Sequence, residues 1–167
     1  MDEQNLTLVD AIQIAMEAEK RAVVLYGDAA QQTENLLAKP LFIKLADFEQ
    51  HHYDKLADLI ASLQQKGKFI IYGGYPSLIP AQSEIKIPEG TTHVLETNKV
   101  SMMQVITLAQ DIEKQTEKKY TDLADQTSDP DGKAMFNRLA KEEQGHLRLL
   151  TEVYWNLNDR GVWAWSR

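Results

Sequence analysis

Glu49-Gln50-His51-His52 and Glu143-Gln144-Gly145-His146 each place a histidine three residues after a glutamate. The two stretches lie 94 residues apart. Residues three apart on an α-helix lie about one turn apart on neighbouring parts of the same face, so such a pair can bind one ion. Two of these pairs on two helices predict a metal site inside a helical bundle.

The same offset relates other residues of the chain. It connects Glu19 with Glu113 and Tyr26 with Tyr120, and residues 11–60 share 17 identities in 50 positions with residues 105–154. Unrelated sequences of average composition would share about three. Packing explains the apolar identities, but charged residues on a core-facing stripe are costly. We therefore predict a duplicated helix pair that brings four carboxylates and two imidazoles to one point.

A single Glu-x-x-His pair is most often part of a solvated helix face. Two copies in register, each with a repeated glutamate on the preceding helix, make that interpretation weak. Four buried carboxylates would repel one another, and two divalent ions would balance them. Oxygen and imidazole ligands suit iron or manganese, with zinc as a substitute. The predicted ligands of two metal ions are Glu19, Glu49, His52, Glu113, Glu143 and His146.

Length and composition are those of an ordinary folded protein. The 167 residues suit one domain, residues 1–167, and the net charge of −7 argues against nucleic acid or an anionic membrane as a partner. The absence of cysteine excludes disulfides, zinc–thiolate sites and iron–sulfur clusters within these residues. The polar start Met1–Asn5 does not resemble a signal peptide, and no apolar run has membrane-spanning length. We expect a cytoplasmic protein.

Apolar periodicity predicts four long helices. The first begins with Thr7 as its N-cap, and the second follows Lys39-Pro40 and stops near Gly67. The third begins with Ser101 as its N-cap, and Asp129-Pro130-Asp131 opens the fourth. Their expected ranges are 7–32, 40–67, 101–126 and 130–158, with a connection at 68–100 and a tryptophan-rich tail at 159–167.

The long middle connection predicts the topology. A helix of 25 residues is about 37 Å long. Two helix pairs related by a two-fold axis require the third helix to start at the end opposite to where the second finishes. About thirty residues cover that distance, whereas an up-down-up-down bundle needs only a few. The expected fold is an all-α four-helix bundle with a crossover between helices 2 and 3.

In these motifs the chain resembles the rubrerythrin branch of the ferritin-like superfamily. The family's first two helices are similar to two stretches of this chain, Ala18-Glu19-Lys20 with Tyr26 and Leu45–His52. Its last two helices are similar to Ile112-Glu113-Lys114 with Tyr120 and to Leu139–His146. The resemblance implies a ferritin-like bundle that holds two irons.

The resemblance also implies a role for each residue. Glu49 and Glu143 would bridge the irons, and Glu19 and Glu113 would be terminal ligands. His52 would bind one iron and His146 the other. The resemblance further implies that Tyr26 and Tyr120 hydrogen-bond to the carboxylates; the alternative is that both are core aromatic residues with satisfied hydroxyls.

Two departures from the family bear on the reaction. Rubrerythrins in the strict sense carry a four-cysteine rubredoxin-like domain, so here electrons would come from an external donor protein or from substrate. The family's peroxidases have an extra glutamate three residues after the third-helix ligand, where this chain has Thr116 followed by Glu117. The implied function is still reduction of hydrogen peroxide or dioxygen at a di-iron centre. The alternatives are a ferroxidase or iron-handling protein and a metal-stapled structural bundle without turnover.

One difference between the two halves predicts oligomerisation. Val23-Val24-Leu25 corresponds to Glu117-Lys118-Lys119, so helix 1 has an additional apolar surface. The crossover, the tail or another subunit must cover it, and we expect a homodimer, with exchanged helices as one form. His51 and His93 lack a repeated partner and are predicted to be surface residues.

Overall fold

The computed structural model describes residues 3–76, 79–86 and 98–166, without the side chains of residues 3–7. Four helices account for most of these residues: α1 Glu3–Gln32, α2 Ala38–Lys66, α3 Lys99–Gln126 and α4 Pro130–Arg160. A short 3-10 helix, Gln82–Glu84, lies in the connection between α2 and α3. No β-strand occurs in the described ranges, and the predicted all-α class is confirmed. None of the described helices combines the length and the hydropathy needed to cross a membrane.

Three predicted helix starts are wrong, and α2, which begins at Ala38, already contains Lys39 and Pro40. α1 begins at Glu3, so Thr7 lies inside the helix, and α3 begins at Lys99, so Ser101 does too. Serine and threonine favour N-caps, but they are tolerated within helices whose preceding residues are already helical. Asp129 does cap α4, where its side chain accepts from the backbone N–H groups of Asp131 and Gly132.

The predicted end of α2 is confirmed, and α4 is longer than expected. Gly67 follows α2 in the left-handed conformation, with φ of 61°, and its N–H donates to Leu63 O. This geometry is ordinary for glycine and unfavourable for residues with a Cβ. α4 continues past Asn158 to Arg160 and is closed in the same way by Gly161.

Side-chain contacts define the direction of each helix. Tyr26 and Glu19 of α1 bond to Glu113 and Tyr120 of α3, respectively, so α1 and α3 are antiparallel. Since α1 precedes α2 in one hairpin and α3 precedes α4 in the other, α2 and α3 run in the same direction. The segment between them therefore has to return along the bundle.

The described part of the connection follows α4. The ring of Phe69 packs edge-on against Phe136, with centroids 6.2 Å apart. Farther along, the Tyr72 hydroxyl donates to Glu142, which lies six residues after Phe136 on α4. Pro80 O then accepts from the indole N–H of Trp165, beyond the end of α4, at 2.9 Å. The connection thus passes from one end of α4 to the other.

Two apolar clusters fill the bundle, one towards each end. The first includes Phe42, Ile106 and Leu157, and the second includes Ile12, Leu59 and Phe136. The C-terminal tail belongs to the first cluster, because Trp163 is fully buried and its ring meets Phe42 edge-on at 5.5 Å. The polar residues predicted to bind metal lie on the helices between these clusters, where water has little access.

Candidate metal centre

All six predicted ligands converge at the centre of the bundle. α1 contributes one glutamate, α3 contributes one, and α2 and α4 each contribute a glutamate and a histidine from the Glu-x-x-His motifs. Every one of them is at most 3% exposed: Glu19, Glu49, His52, Glu113, Glu143 and His146. Because apolar residues occupy neighbouring positions on the same helix faces, burying those faces carries the six polar side chains inward.

The six residues form two overlapping groups whose ligand atoms lie within 4.8 Å of one another. Both groups contain Glu49 and Glu143. Glu19 and His52 complete one group, and the glutamate and histidine of the second helix pair, Glu113 and His146, complete the other. Because two carboxylates belong to both four-residue groups, this arrangement could hold two adjacent ions with shared ligands.

Each imidazole directs its Nδ1 atom into the cluster. His52 Nδ1 lies 2.9 Å from Glu143 Oε1, 3.3 Å from Glu49 Oε2 and 3.7 Å from Glu19 Oε1. In the other group, His146 Nδ1 lies 2.9 Å from Glu49 Oε1, 3.1 Å from Glu143 Oε2 and 3.5 Å from a Glu113 oxygen. The two halves are therefore nearly equivalent, as the internal repeat predicts.

Several inward atoms lack hydrogen-bond geometry to any group in the described part of the chain. They are both carboxylate oxygens of Glu49, Glu143 Oε1 and His52 Nδ1. Buried polar atoms without partners are rare in folded proteins because desolvation is not compensated. Cations coordinated by these oxygens and nitrogens would provide the missing partners. The donor set, carboxylate oxygen with imidazole nitrogen, fits iron or manganese.

The pKa values of the two outer carboxylates are raised in the metal-free cluster, which favours their protonated forms. Burial raises the pKa of Glu19, and the nearby charges of Glu143 and Glu49 raise it further. Burial and the same two carboxylates raise the pKa of Glu113. Both groups therefore tend to be neutral acids in the metal-free protein.

The histidines and the shared glutamates shift in opposite directions. Burial lowers the pKa of both histidines, but the surrounding carboxylates outweigh it, so the pKa of His52 and that of His146 end well above their usual value. Burial raises the pKa of Glu49 and Glu143, but the two imidazolium groups outweigh it and both pKa values fall. Two imidazolium ions thus balance two carboxylates in the metal-free cluster.

Tyr26 and Tyr120 make reciprocal hydrogen bonds between the helix pairs. The hydroxyl of Tyr26 on α1 donates to Glu113 Oε1 on α3, and that of Tyr120 on α3 donates to Glu19 Oε1 on α1. Both rings are fully buried. Each tyrosine fixes the orientation of one outer carboxylate and leaves its second oxygen available to a cation.

Sequence reasoning missed Glu142, which contacts the outer face of the cluster. Its Oε2 lies 2.9 Å from His52 Nε2 and accepts from Tyr72 hydroxyl at 2.7 Å. Burial raises the pKa of Glu142, but hydrogen bonds from His52 and Tyr72 lower it to about 2. One difference between the two halves of the repeat could have indicated this residue: Glu142 of α4 corresponds to Phe48 of α2.

Glu117 belongs to neither of the two ligand groups found among the described residues. Thr116 is buried, and its hydroxyl donates to Ile112 O at 2.9 Å. Glu117 is turned away and accepts from Gln144 Nε2 at 2.9 Å. The predicted surface position of His51 is only half right, because its ring packs against Tyr75 with centroids 4.9 Å apart. His93 lies outside the described residues.

A cavity of about 440 Å³ reaches the cluster from one side. Phe48 and His146 line it where it meets the bundle, and Tyr75, Ile79 and Leu149 are among its walls. Its other lining residues include the cationic side chains of Arg138, Lys141 and Arg148. Glu142 lines the same cavity, and His146 is the member of the six-residue cluster that lines it, so a small molecule in the cavity would lie beside His146.

A bundle of four helices with a long central connection, and with four glutamates and two histidines gathered at its centre, defines the ferritin-like di-iron carboxylate class. The model of the rubrerythrin family matches residues 1–60 and 74–157, and the chain belongs to that family. The resemblance inferred from the motifs is therefore confirmed.

The fold is also similar to a solved structure, described as the crystal structure of ferritin-like, diiron-carboxylate proteins from Bacillus anthracis str. Ames. The two chains are 21% identical with a TM-score of 0.62, and the match covers 92% of this chain and 99% of the other. The predicted ferritin-like fold is confirmed by this likeness. A search of curated proteins gave no match.

Proposed function

We propose that the protein binds two iron ions at the six-residue cluster and acts as a non-haem oxidoreductase that reduces hydrogen peroxide or dioxygen. The observation that carries the proposal is the pair of buried four-residue groups that share Glu49 and Glu143. Iron, when bound there, would supply the electrons that pass to the small oxidant. Manganese or zinc would be substitutes at the same ligands.

The chain's own residues would hold and enclose the ions. Glu49 and Glu143 would bridge them, and Glu19 with His52 and Glu113 with His146 would complete the two sides. Tyr26 and Tyr120 would keep the outer carboxylates oriented through the bonds already described. The apolar clusters above and below exclude water, so protons and oxidant would reach the centre by the cavity beside His146.

These 167 residues contain no cysteine for a rubredoxin-like centre, so electrons would reach the cluster from a donor outside them, an electron-donor protein or the substrate. A test begins with protein purified and loaded with ferrous iron without oxygen. Peroxide consumption with repeated turnover, when a reductant is supplied, is the expected result. Glu143→Ala should abolish it, and Glu117→Gln, a carboxylate outside the cluster, should not.

A ferroxidase or iron-handling function is the second candidate. Thr116 is buried against its own helix where peroxidases of the family carry a further glutamate, and this favours the more symmetric site of an oxidase. Oxidation of ferrous iron by dioxygen, without peroxide turnover by a reductant, would select this function. Failure to retain iron, with zinc bound inertly instead, would leave a metal-stapled structural bundle and contradict both redox proposals.

We also propose a homodimer in the cytoplasm. Val24 and Ile14 on α1 are each 56% exposed, so the described connection and tail leave part of the apolar surface of α1 uncovered. A second subunit would bury it, with or without exchange of helices. Light scattering should give twice the mass of one chain, and a monomer at micromolar concentration would contradict the dimer.

A further inference from the structure

The two histidines differ at the nitrogen that points away from the cluster. His52 Nε2 lies 2.9 Å from Glu142 Oε2. His146 Nε2 is buried and has no hydrogen-bond partner among the residues that the structure describes. Its ring instead meets Phe48 edge-on, with centroids 4.8 Å apart and an interplanar angle of 85°. The six cluster residues are nearly symmetric, but the residues that contact the outer nitrogens of the two histidines are not.

The different surroundings of the two histidines follow from one sequence difference between the two halves of the repeat. Phe48 and Glu142 occupy equivalent positions, 94 residues apart and each four residues before the histidine of its own helix. Glu142 reaches across to His52 on α2, and Phe48 reaches across to His146 on α4. The exchange of a carboxylate for a phenyl ring thus gives the two imidazoles opposite environments.

Glu142 is held rigidly by three further contacts. Tyr72 hydroxyl donates to Oε2 at 2.7 Å, and Tyr75 N–H and Arg138 Nε both donate to Oε1 at 3.1 Å. Its side chain is 12% exposed. Tyr72 and Tyr75 belong to the connection between the helix pairs, which has no counterpart in the repeat. The connection therefore fixes a carboxylate on one histidine only.

Hydrogen bonding of the outer nitrogen affects how well a histidine binds a metal. An imidazole that coordinates through Nδ1 carries its proton on Nε2. A carboxylate that accepts this proton fixes the tautomer and the ring orientation and makes the ligating nitrogen more basic, and loss of such a partner typically costs about 10–100-fold in affinity. His52 has this partner, whereas His146 Nε2 has none among the described residues and the His146 ring packs edge-on with Phe48.

We propose that Glu142 is a positioning residue that makes the two metal positions unequal. The position of Glu19 and His52 fills first and holds its ion more tightly. The position of Glu113 and His146 binds later and exchanges its ion, on the side that the cavity reaches. This inference rests on the proposed function, since it assumes that the cluster binds metal.

Anaerobic titration of the metal-free full-length protein with Co²⁺, followed by calorimetry, tests the proposal. Two binding steps are expected, with dissociation constants at least about tenfold apart. Proton NMR in water should show, after one equivalent, one shifted and slowly exchanging signal from the His52 Nε2–H. Glu142→Ala should weaken the first step by about 10–100-fold and remove that signal, while the second step stays unchanged.

Milder variants separate positioning from a general loss of structure. Glu142→Gln retains an acceptor and should restore part of the affinity and the NMR signal. Tyr72→Phe removes one donor to Glu142 and should weaken the first step by a smaller factor. Glu117→Gln, which contacts Gln144 outside the cluster, should leave both steps unchanged.

The outcomes distinguish this inference from the function it rests on. Two ions bound with equal affinity, or a first step that Glu142→Ala leaves unchanged in folded protein, would overturn the inequality and leave the di-metal function standing. Absence of any Co²⁺ and Fe²⁺ binding at the cluster would overturn both.

Discussion

His52 Nδ1 lies 2.9 Å from Glu143 Oε1, although the two residues belong to different helix pairs. His146 Nδ1 lies equally close to Glu49 Oε1. The glutamates within the same motifs are farther away, at 3.3 Å for His52 and 3.1 Å for His146. Each histidine is therefore nearest the glutamate of the other half. One helix pair cannot form the cluster, which exists only when the two pairs pack together.

Metal binding should release protons. The pKa values of the outer carboxylates Glu19 and Glu113 and of both histidines are raised, which favours protons on the groups that cations must bind. Two divalent ions should displace protons from these groups, and affinity should fall as pH falls because protons then compete better. Calorimetry in buffers with different ionisation enthalpies counts the protons. A binding enthalpy independent of the buffer would contradict this expectation.

Bound metal should stabilise the fold. An ion that binds only the folded state adds about 2.7 kcal/mol at a free concentration 100 times its dissociation constant. For a chain of this size that corresponds to a rise in Tm of about 5–10 °C. Differential scanning calorimetry with and without a chelator measures it. In Glu143→Ala, which loses a carboxylate common to both groups, the rise should largely disappear.

Tyr120→Phe and Tyr26→Phe should have similar effects. Each substitution removes a buried hydroxyl that donates to an outer carboxylate, Glu19 or Glu113, at a cost of about 1–3 kcal/mol in the metal-free protein. Urea denaturation gives the free energies of unfolding. Because the two bonds are related by the repeat, a much larger loss in one variant would show that the halves are not equivalent at this level.

Gly74→Ala should destabilise the connection. Gly74 has φ of 92°, and a Cβ there would lie 2.6 Å from Arg138 and 2.7 Å from Glu142 Oε1. The left-handed backbone and the close approach together should cost at least about 1–3 kcal/mol. Gly73→Ala is the matched control, since its Cβ would meet nothing within 4 Å. Equal free energies of unfolding for the two variants would show that the connection does not hold Glu142 as described.

Trp163→Ala should destabilise the bundle by about 3–5 kcal/mol, because it empties a fully buried site beside Phe42. Trp155→Ala is the control: this ring is 56% exposed, and its loss should cost far less. Thermal unfolding of both variants gives the comparison. Similar Tm values would mean that the tail is not part of the core.

Much of the helical framework and the six inner residues could be predicted from the sequence. The apolar period identified each helix, and the 94-residue register singled out charged residues that packing could not explain. Helix starts were less predictable: Thr7 and Ser101 have the side chains of N-caps but lie inside α1 and α3. Capping preferences are weak compared with the packing that extends a helix.

The sequence by itself determined the residues that converge, because a helix face is a local property and duplication repeats it. Tertiary structure decided how they are held. Glu142 is held beside His52 by Tyr72 and Tyr75, which the connection brings back along α4 and whose close approach leaves no room for a Cβ at Gly74. These residues have no period and no repeated partner, so their position depends on the path of an irregular segment, which long-range packing selects and local sequence does not encode.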